Sequence, residues 1–405
     1  MFIYFLIIRI AALCGHAKAR ALVRGEEETL RRAKEGFPYR HPIWIHAASV
    51  GEFEQARPLI ERLKGLTGER PQIVVTFFSP SGYEMRKGYD KVDGVLYLPF
   101  ATRRNAKRFI EALQPEMAIF VKYEFWPAYL KELKRRGIKT YSISAIFRSS
   151  QRFFRWYGKA SLGLLKCFTH IFVQDEKSLQ LLNKHGIQDA SVAGDTRFDR
   201  VSKVCRSIAE KRDTDGRLRI IEQFTEGCER VIVAGSTWPK DEALLARYVA
   251  QHPETKLILV PHEIDEEHLH YIFNLFLGRY VRYTRITPRA MICANVLVID
   301  RMGLLSSTYG FGQAAYIGGG FGAGIHNTIE AAVYGMPVLF GPNYHHFREA
   351  HGLIDAGAAR SIKNYRELEQ ALTTALDQHR EIGAKAAEYV TSELGATERI
   401  YKKIF

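Results

Sequence analysis

AAYIGGGFGAGIHNTIEAAVYGMPVLFGPNYHHF runs from Ala314 to Phe347. Ala314–Ile317 is a short apolar run, the size of a buried parallel strand. Gly318, Gly319, Gly320, Gly322 and Gly324 follow, so the backbone there can turn sharply and approach a ligand closely. His326 and Asn327 open an apolar-periodic run that ends near Tyr334, with Asn327 suited to an N-cap and Gly335 to the stop. Met336–Phe340 is the next strand, ended by Gly341-Pro342. Strand, glycine loop, helix and strand aim the unpaired N–H groups of a helix end at the loop, an arrangement that attracts anions. Glu330 sits one turn into that helix, and an acceptor-only carboxylate there suits the two neighbouring hydroxyls of a ribose. The pattern predicts a nucleotide-phosphate site at Gly319 and Gly320 with a ribose clamp at Glu330. Close packing alone also explains glycines before a helix, and the spacing is not G-x-G-x-x-G.

On either side of this stretch the chain alternates strands and helices. Ile43–His46, Ile73–Phe77, Val95–Leu98, Met117–Val121, Thr140–Ser144, Ile171–Gln174 and Ser191–Gly194 read as one series of strands. Val231–Ala234, Lys256–Val260, Val296–Ile299, Ala314–Ile317, Met336–Phe340 and Ala359–Ile362 read as a second. The intervening segments are long enough for parallel pairing. Between about Arg200 and Glu229 the pattern lapses into a charged linker. The expected fold is α/β, with two doubly wound Rossmann-like domains facing each other across a cleft. Its parts are an N-terminal segment (1–40), a first domain (41–205), a second (206–385) and an amphipathic tail helix (386–405). In open parallel sheets ligands bind beyond the carboxyl ends of the strands, and the small or polar motifs of this chain fall there.

At 405 residues the chain has room for two cores. Its net charge of +14 calls for an anionic partner. No nucleic-acid motif is present, so a nucleic-acid partner is not expected. Five scattered cysteines without a C-x-x-C pair fit a reducing compartment and no zinc site. The N-terminus, MFIYFLIIRIAALC, is apolar except for Arg9, and Lys18, Arg20, Arg24, Arg31 and Arg32 follow. A helix of that length spans about 20 Å, short of a roughly 30 Å hydrocarbon core. The segment reads as a short membrane anchor with the body on the cytoplasmic side, on an anionic inner-membrane surface. The alternative is a first helix docked on the body by its apolar face.

Glu52 follows Ser49-Val50-Gly51 directly after a strand, where a helix begins. A carboxylate there is placed to act as a general base on an acceptor hydroxyl, with Ser49 and Gly51 lining the approach. It also suits a plain first-turn acid favoured by the helix dipole. Glu124, just past Met117–Val121, is placed to orient a catalytic or acceptor group. Ser236 and Thr237 offer hydroxyl and backbone donors to a phosphate, although a capped helix start needs no ligand. Arg148 and Arg197 sit just past strands, placed for a carboxylate or phosphate. His262-Glu263 with His268 does not match H-E-x-x-H, so no zinc is expected. Asp213-Thr214-Asp215 has the D-x-D form of some metal sites but lies among basic linker residues.

Taken together, these motifs resemble the 3-deoxy-D-manno-octulosonic acid (Kdo) transferases, which have the GT-B fold. IHAASVGEFEQARPLI (45–60), VKYEFWP (121–127), GDTRFD (194–199), GSTW (235–238), MGLL (302–305) and GGGFGAGIHNTIEAA (318–332) are similar to that family's segments, in the family's order. The resemblance implies inverting, metal-independent transfer of Kdo from CMP-Kdo to a hydroxyl of the lipid A precursor lipid IVA, a step of lipopolysaccharide core biosynthesis. CMP-Kdo is a substrate, and no cofactor is implied. The resemblance makes Glu52 the base and places His326, Asn327 and Glu330, with Met302 and Gly303, at the CMP end. Departures are Lys122 for the first glutamate of Glu-x-Glu, Pro261-His262-Glu263 for Pro-Arg-His, Arg197 for a lysine, and Thr328 for a proline. The runner-up is another GT-B enzyme, a UDP-sugar transferase or a sugar-nucleotide epimerase. A silent nucleotide-sugar-binding protein is the third reading.

Overall fold

Every strand pairing in the computed structural model, which describes residues 2–67, 70–211, 216–277 and 279–405, is parallel. One sheet holds β1 (Ile43–His46), β2 (Ile73–Phe77), β3 (Gly94–Tyr97), β4 (Met117–Val121), β5 (Lys139–Ala145), β6 (His170–Val173) and β7 (Ala190–Val192), in the order β3-β2-β1-β4-β5-β6-β7. The other holds β8 (Val231–Thr237), β9 (Lys256–Pro261), β10 (Tyr280–Arg282), β11 (Val296–Val298), β12 (Ala314–Ile317), β13 (Val338–Phe340) and β14 (Ala359–Ser361), in the order β10-β11-β9-β8-β12-β13-β14. The central strands are predominantly apolar because helices cover both faces: every residue of β1, β2, β4 and β12 is buried. Near the middle of each sheet the strand order reverses, between β1 and β4 and between β8 and β12, and the second sheet also carries β10 outside β11 at its edge. At such a switch point the loops diverge and leave a crevice for a ligand.

The chain divides into two units, Met1–Arg200 with Leu394–Phe405, and Val201–Glu393. The C-terminal segment thus returns to the first unit. Asp199 accepts hydrogen bonds from Gly395 N (2.7 Å), Thr397 N (2.7 Å) and Thr397 Oγ1 (2.6 Å), which fixes the start of the helix Ala396–Ile404. Ile400 of that helix is fully buried in the first core. The expected charged linker after Arg200 is instead helical at its start. Thr196–Lys211 is one helix, because Phe198 and Val201, three residues apart, bury one side of it. The edge strand β10 has no counterpart among the sequence-read strands; only Val281 of its three residues is buried.

The N-terminal apolar segment forms the helix Phe2–Leu13, followed by the helix Ala17–Glu35. No helix among the described residues is long and apolar enough to cross a membrane. One face of the first helix docks on the body. Phe5 is buried and stacks on Phe100, ring centroids 4.7 Å apart, and more loosely on Trp126. Arg9, the charge that interrupts the apolar run, turns inward to Glu26 at 2.8 Å. Glu26 is buried and also accepts from Phe100 N and Asn105 Nδ2. Burial raises its carboxyl above the ordinary value and Arg9 opposes the rise. The other face leaves Tyr4, Leu6, Ile7, Ile10 and Leu13 exposed, Leu13 at 88%.

Candidate functional site

The first unit gathers its polar side chains at the β1/β4 switch point. Ser49 caps the helix Val50–Lys64, its Oγ accepting from Glu52 N, and the Glu52 carboxylate reaches back to accept from Ala48 N at 2.6 Å. The carboxylate thus bonds the residue before the cap, and this pins Glu52 at the mouth of the crevice. Glu52 is partly buried. Burial pushes its pKa up to about 7, and the nearby Glu124 charge adds to the rise. The Ala48 N–H, His46 and Lys122 oppose it. Gly51 faces open space, so no packing contact excludes a side chain there.

Glu124 follows β4, and its Oε2 accepts from the Trp126 indole N–H and lies 3.0 Å from His46 Nε2. His46 is the last residue of β1 and fully buried. Its Nδ1 lies 2.8 Å from Thr76 Oγ1 and 3.1 Å from Thr76 O. The chain Thr76–His46–Glu124–Trp126 therefore locks the Glu124 carboxylate in one orientation beside Glu52. Lys122, between β4 and Glu124, has a left-handed backbone (φ 61), a conformation that costs a non-glycine residue energy and clusters at functional sites.

Arg148 and Arg197 lie in the same unit. Arg148 Nη1 donates to Tyr123 OH at 3.4 Å. Arg197 donates to Asp195 through Nε (2.9 Å) and Nη2 (2.7 Å). Asp195 is buried, which works against its charge, yet Arg197 holds its carboxyl below the ordinary value. Burial pushes the Tyr123 phenol above its ordinary pKa, and Arg148 and Arg197 oppose the rise.

The second unit brings the glycine loop, Ser236, Thr237, His262, His326, Asn327 and Glu330 to the β8/β12 switch point. The helix after the loop is shorter than expected. It covers only Ile329–Ala332, begins at Thr328 without a side-chain cap, and is followed by a turn to Gly335. Asn327 Oδ1 accepts from Ile329 N, an Asx-type turn in place of the expected N-cap. A single helical turn sums few peptide dipoles, so the expected attraction of an anion to a helix end loses most of its source. The loop's own N–H groups turn inward. Gly319 N donates to Asp241 Oδ2 at 2.9 Å, Gly318 N to Gly235 O, and Gly322 N to Gly319 O.

Close backbone approach accounts for two of these glycines. A Cβ on Gly318 would lie 2.2 Å from Ser236 O, and one on Gly320 2.6 Å from the Gly341 backbone. Gly318→Ala is therefore expected to destabilise the ligand-free protein by about 1–3 kcal/mol, the usual penalty for overpacking. Urea unfolding without ligand measures it; an unchanged midpoint would return Gly318 to a purely ligand-facing role.

Glu330 is held from two sides. Ser306 Oγ donates to its Oε2 at 2.5 Å and Asn327 Nδ2 to its Oε1 at 2.9 Å. Trp238, His262 and His326 form a stack: ring centroids are 4.8 Å apart for Trp238–His262 and 4.5 Å for His262–His326, and Trp238 Nε1 donates to His326 Nε2. Burial and the neighbouring His262 hold the His326 imidazole below its ordinary pKa. Thr237 points inward, its hydroxyl donating to the buried Glu242, which also meets His268 at 2.8 Å. Ser236 stays at the rim with a left-handed backbone (φ 53). Met302 and Gly303 are exposed, Gly303 at φ 84. Asp213 and Asp215 lie outside the described residues.

The sequence reading missed His46, Thr76, Trp126, Trp238, Asp241 and Ser306. A buried histidine ending an apolar strand was the available signal for the first. Ser306, two residues past Leu304 in a segment already singled out for Met302 and Gly303, was the nearest to being found.

A family model described as 3-Deoxy-D-manno-octulosonic-acid transferase (kdotransferase) matches residues 18–200, within the unit that carries Glu52 and Glu124. The 3-deoxy-D-manno-octulosonic acid transferase of Rickettsia prowazekii (strain Madrid E) is 26% identical over 385 residues, covering 90% of this chain and 78% of that protein. The one from Aquifex aeolicus (strain VF5) is 27% identical over 351 residues, 84% of this chain and 87% of that protein. Among solved structures, the UDP-GlcNAc 2-epimerase from Neisseria meningitidis bound to UDP-GlcNAc superposes with a TM-score of 0.64 at 15% identity, covering 90% of this chain and 99% of that one. That likeness is one of fold.

Proposed function

We propose, since the chain belongs to the 3-deoxy-D-manno-octulosonic-acid (Kdo) transferase family, that it is a glycosyltransferase moving Kdo from CMP-Kdo to a hydroxyl of the lipid A precursor lipid IVA. The observation that carries the mechanism is Glu52, a carboxylate fixed by Ala48 N at the first switch point with a pKa near neutrality. Glu52 takes the proton of the acceptor hydroxyl as that oxygen bonds to the anomeric carbon. The bond from the same carbon to the CMP phosphate oxygen breaks, the anomeric centre inverts, and CMP leaves with the electron pair. Glu124, oriented by His46 and Trp126, keeps Glu52's pKa raised and positions the acceptor. In the second unit Glu330 takes the ribose hydroxyls of CMP. His262, His326 and Ser236 face the phosphate and sugar, and Arg148 and Arg197 face an anionic group of the acceptor. The reaction requires no cofactor and no divalent metal.

The chain works at the cytoplasmic face of the inner membrane. The exposed apolar face of the helix Phe2–Leu13 and the net charge of +14 support that location. Deleting residues 1–13 is expected to abolish co-sedimentation with lipid vesicles while the sheet domains stay folded. It also strands buried Glu26, so the unfolding midpoint falls by the equivalent of about 1–3 kcal/mol. Vesicle binding that survives the deletion would remove this helix as the anchor.

The test of function is CMP release from CMP-Kdo, generated in situ, with lipid IVA as acceptor. Release well above that of a Glu52→Gln control supports the proposal. Thermal protection by UDP but not by CMP would favour a UDP-sugar enzyme instead.

A further inference from the structure

The helices Arg103–Leu113 and Pro127–Arg135 pack side by side and leave a groove of about 490 Å³ between the first half of the one and the length of the other. Arg103 and Lys107, one helical turn apart, line one wall; Lys131 and Arg135, also one turn apart, line the other. Glu132 is the acid of the lining, and its carboxylate is already taken by Arg135 and Arg136, both at 2.6 Å. Arg103, Lys107 and Lys131 are exposed and make no ion pair with any described residue. Arg104 and Arg108 extend the same charge along the first helix.

Local helix physics argues against this placement. Like charges four residues apart repel, and cations in a first turn oppose the helix dipole. The helix Arg103–Leu113 carries two arginines and no acid in its first turn. A sequence that breaks local rules without a compensating internal contact points to an external partner.

The groove is continuous with the apolar N-terminal helix. Its lining starts at Ala101 and Pro127, each one residue beyond the Phe100 and Trp126 rings on which Phe5 stacks. The N-terminal helix and the cationic groove are therefore neighbours in the first unit, meeting where Ala101 and Trp126 pack around Phe5. We propose that this groove binds the phosphate of anionic lipid headgroups, while the neighbouring helix Phe2–Leu13 enters the acyl boundary of the same leaflet. The inference rests on the membrane location proposed above and adds the lipid class that is read. Guanidinium and ammonium groups on opposite walls suit a phosphodiester with one charge between them.

Full-length protein and the variant Arg103→Gln/Lys107→Gln/Lys131→Gln are compared by sedimentation with vesicles of phosphatidylcholine alone and of phosphatidylcholine with phosphatidylglycerol. The wild type is expected to prefer the anionic vesicles, and the preference to shrink as salt is added. At about tenfold or less per removed charge, the variant loses roughly 100-fold of that preference. It keeps its binding to neutral vesicles and its melting temperature, because the three side chains are exposed and unpaired. A variant that retains the wild-type preference overturns the inference and leaves the membrane location standing. A wild type that binds neither vesicle overturns both. If the substitutions abolish binding of a single-stranded oligonucleotide but leave the vesicle preference intact, the groove serves nucleic acid and the inference falls.

Discussion

Glu52→Gln is expected to lower the rate of Kdo transfer by about 10²–10⁴-fold, the range for removing a positioned general base. CMP affinity should stay unchanged, because Glu52 belongs to the first unit and the glycine loop to the second. The substitution isolates the proton acceptor cleanly. A glutamine oxygen still accepts from Ala48 N, so the helix start at Ser49 keeps its cap. The pH profile supplies an independent check. The base must be ionised, and its pKa stands at about 7 through burial and the Glu124 charge. The wild-type rate should therefore rise as pH climbs through about 7 and level off above it. Stability runs the other way. The folded state keeps this proton up to about pH 7, whereas the unfolded chain releases it near 4.5. Between those values the folded state binds more protons, so stability falls as pH rises. Glu52→Gln has no such loss, and at pH 8 it should be more stable than the wild type by about 1–3 kcal/mol. An inactive variant that is also stabilised only at high pH identifies a strained catalytic carboxylate. A variant that is active, or one destabilised equally at all pH values, would leave Glu52 as a helix cap and nothing more.

The strands were legible because parallel strands covered on both faces are unbroken apolar runs, as in Met117–Val121 and Ala314–Ile317. The edge strand β10 was not, since a strand with one buried residue carries neither a run nor an alternation. The helix from Thr196 was hidden by its charges, which swamp the periodicity of Phe198 and Val201 when composition is read by segment. The glycine loop shows a different limit. That glycines were required could be read, but not what requires them, because Ser236 O and the Gly341 backbone are distant in sequence from Gly318 and Gly320. For the same reason Asp241, which holds Gly319 N, could not be connected to the loop. Glu52 and Glu124 stood out because each follows a strand directly. Their supporting residues His46 and Thr76 lie inside strands and look like core.

Glu330→Ala is expected to weaken CMP binding by about 100-fold. Each hydroxyl hydrogen bond to an ionised carboxylate contributes about 1.5–3 kcal/mol, and a ribose offers two. The carboxylate is prearranged, with Ser306 on one oxygen and Asn327 on the other, so little ordering remains to oppose binding. The short helix Ile329–Ala332 sharpens this expectation. With one turn of helix and inward-turned loop amides, the phosphate gains little from the backbone, and the ribose contact must supply more of the affinity. Calorimetric titration with CMP measures the loss, and 2′-deoxy-CMP tests its origin. Removing one ribose hydroxyl should cost the wild type about tenfold or more and cost Glu330→Ala almost nothing, because the partner is already gone. Equal losses in both proteins would mean that Glu330 does not touch that hydroxyl. The loop would then have to hold the nucleotide by its base or phosphate, and the Trp238–His262–His326 stack becomes the place to look.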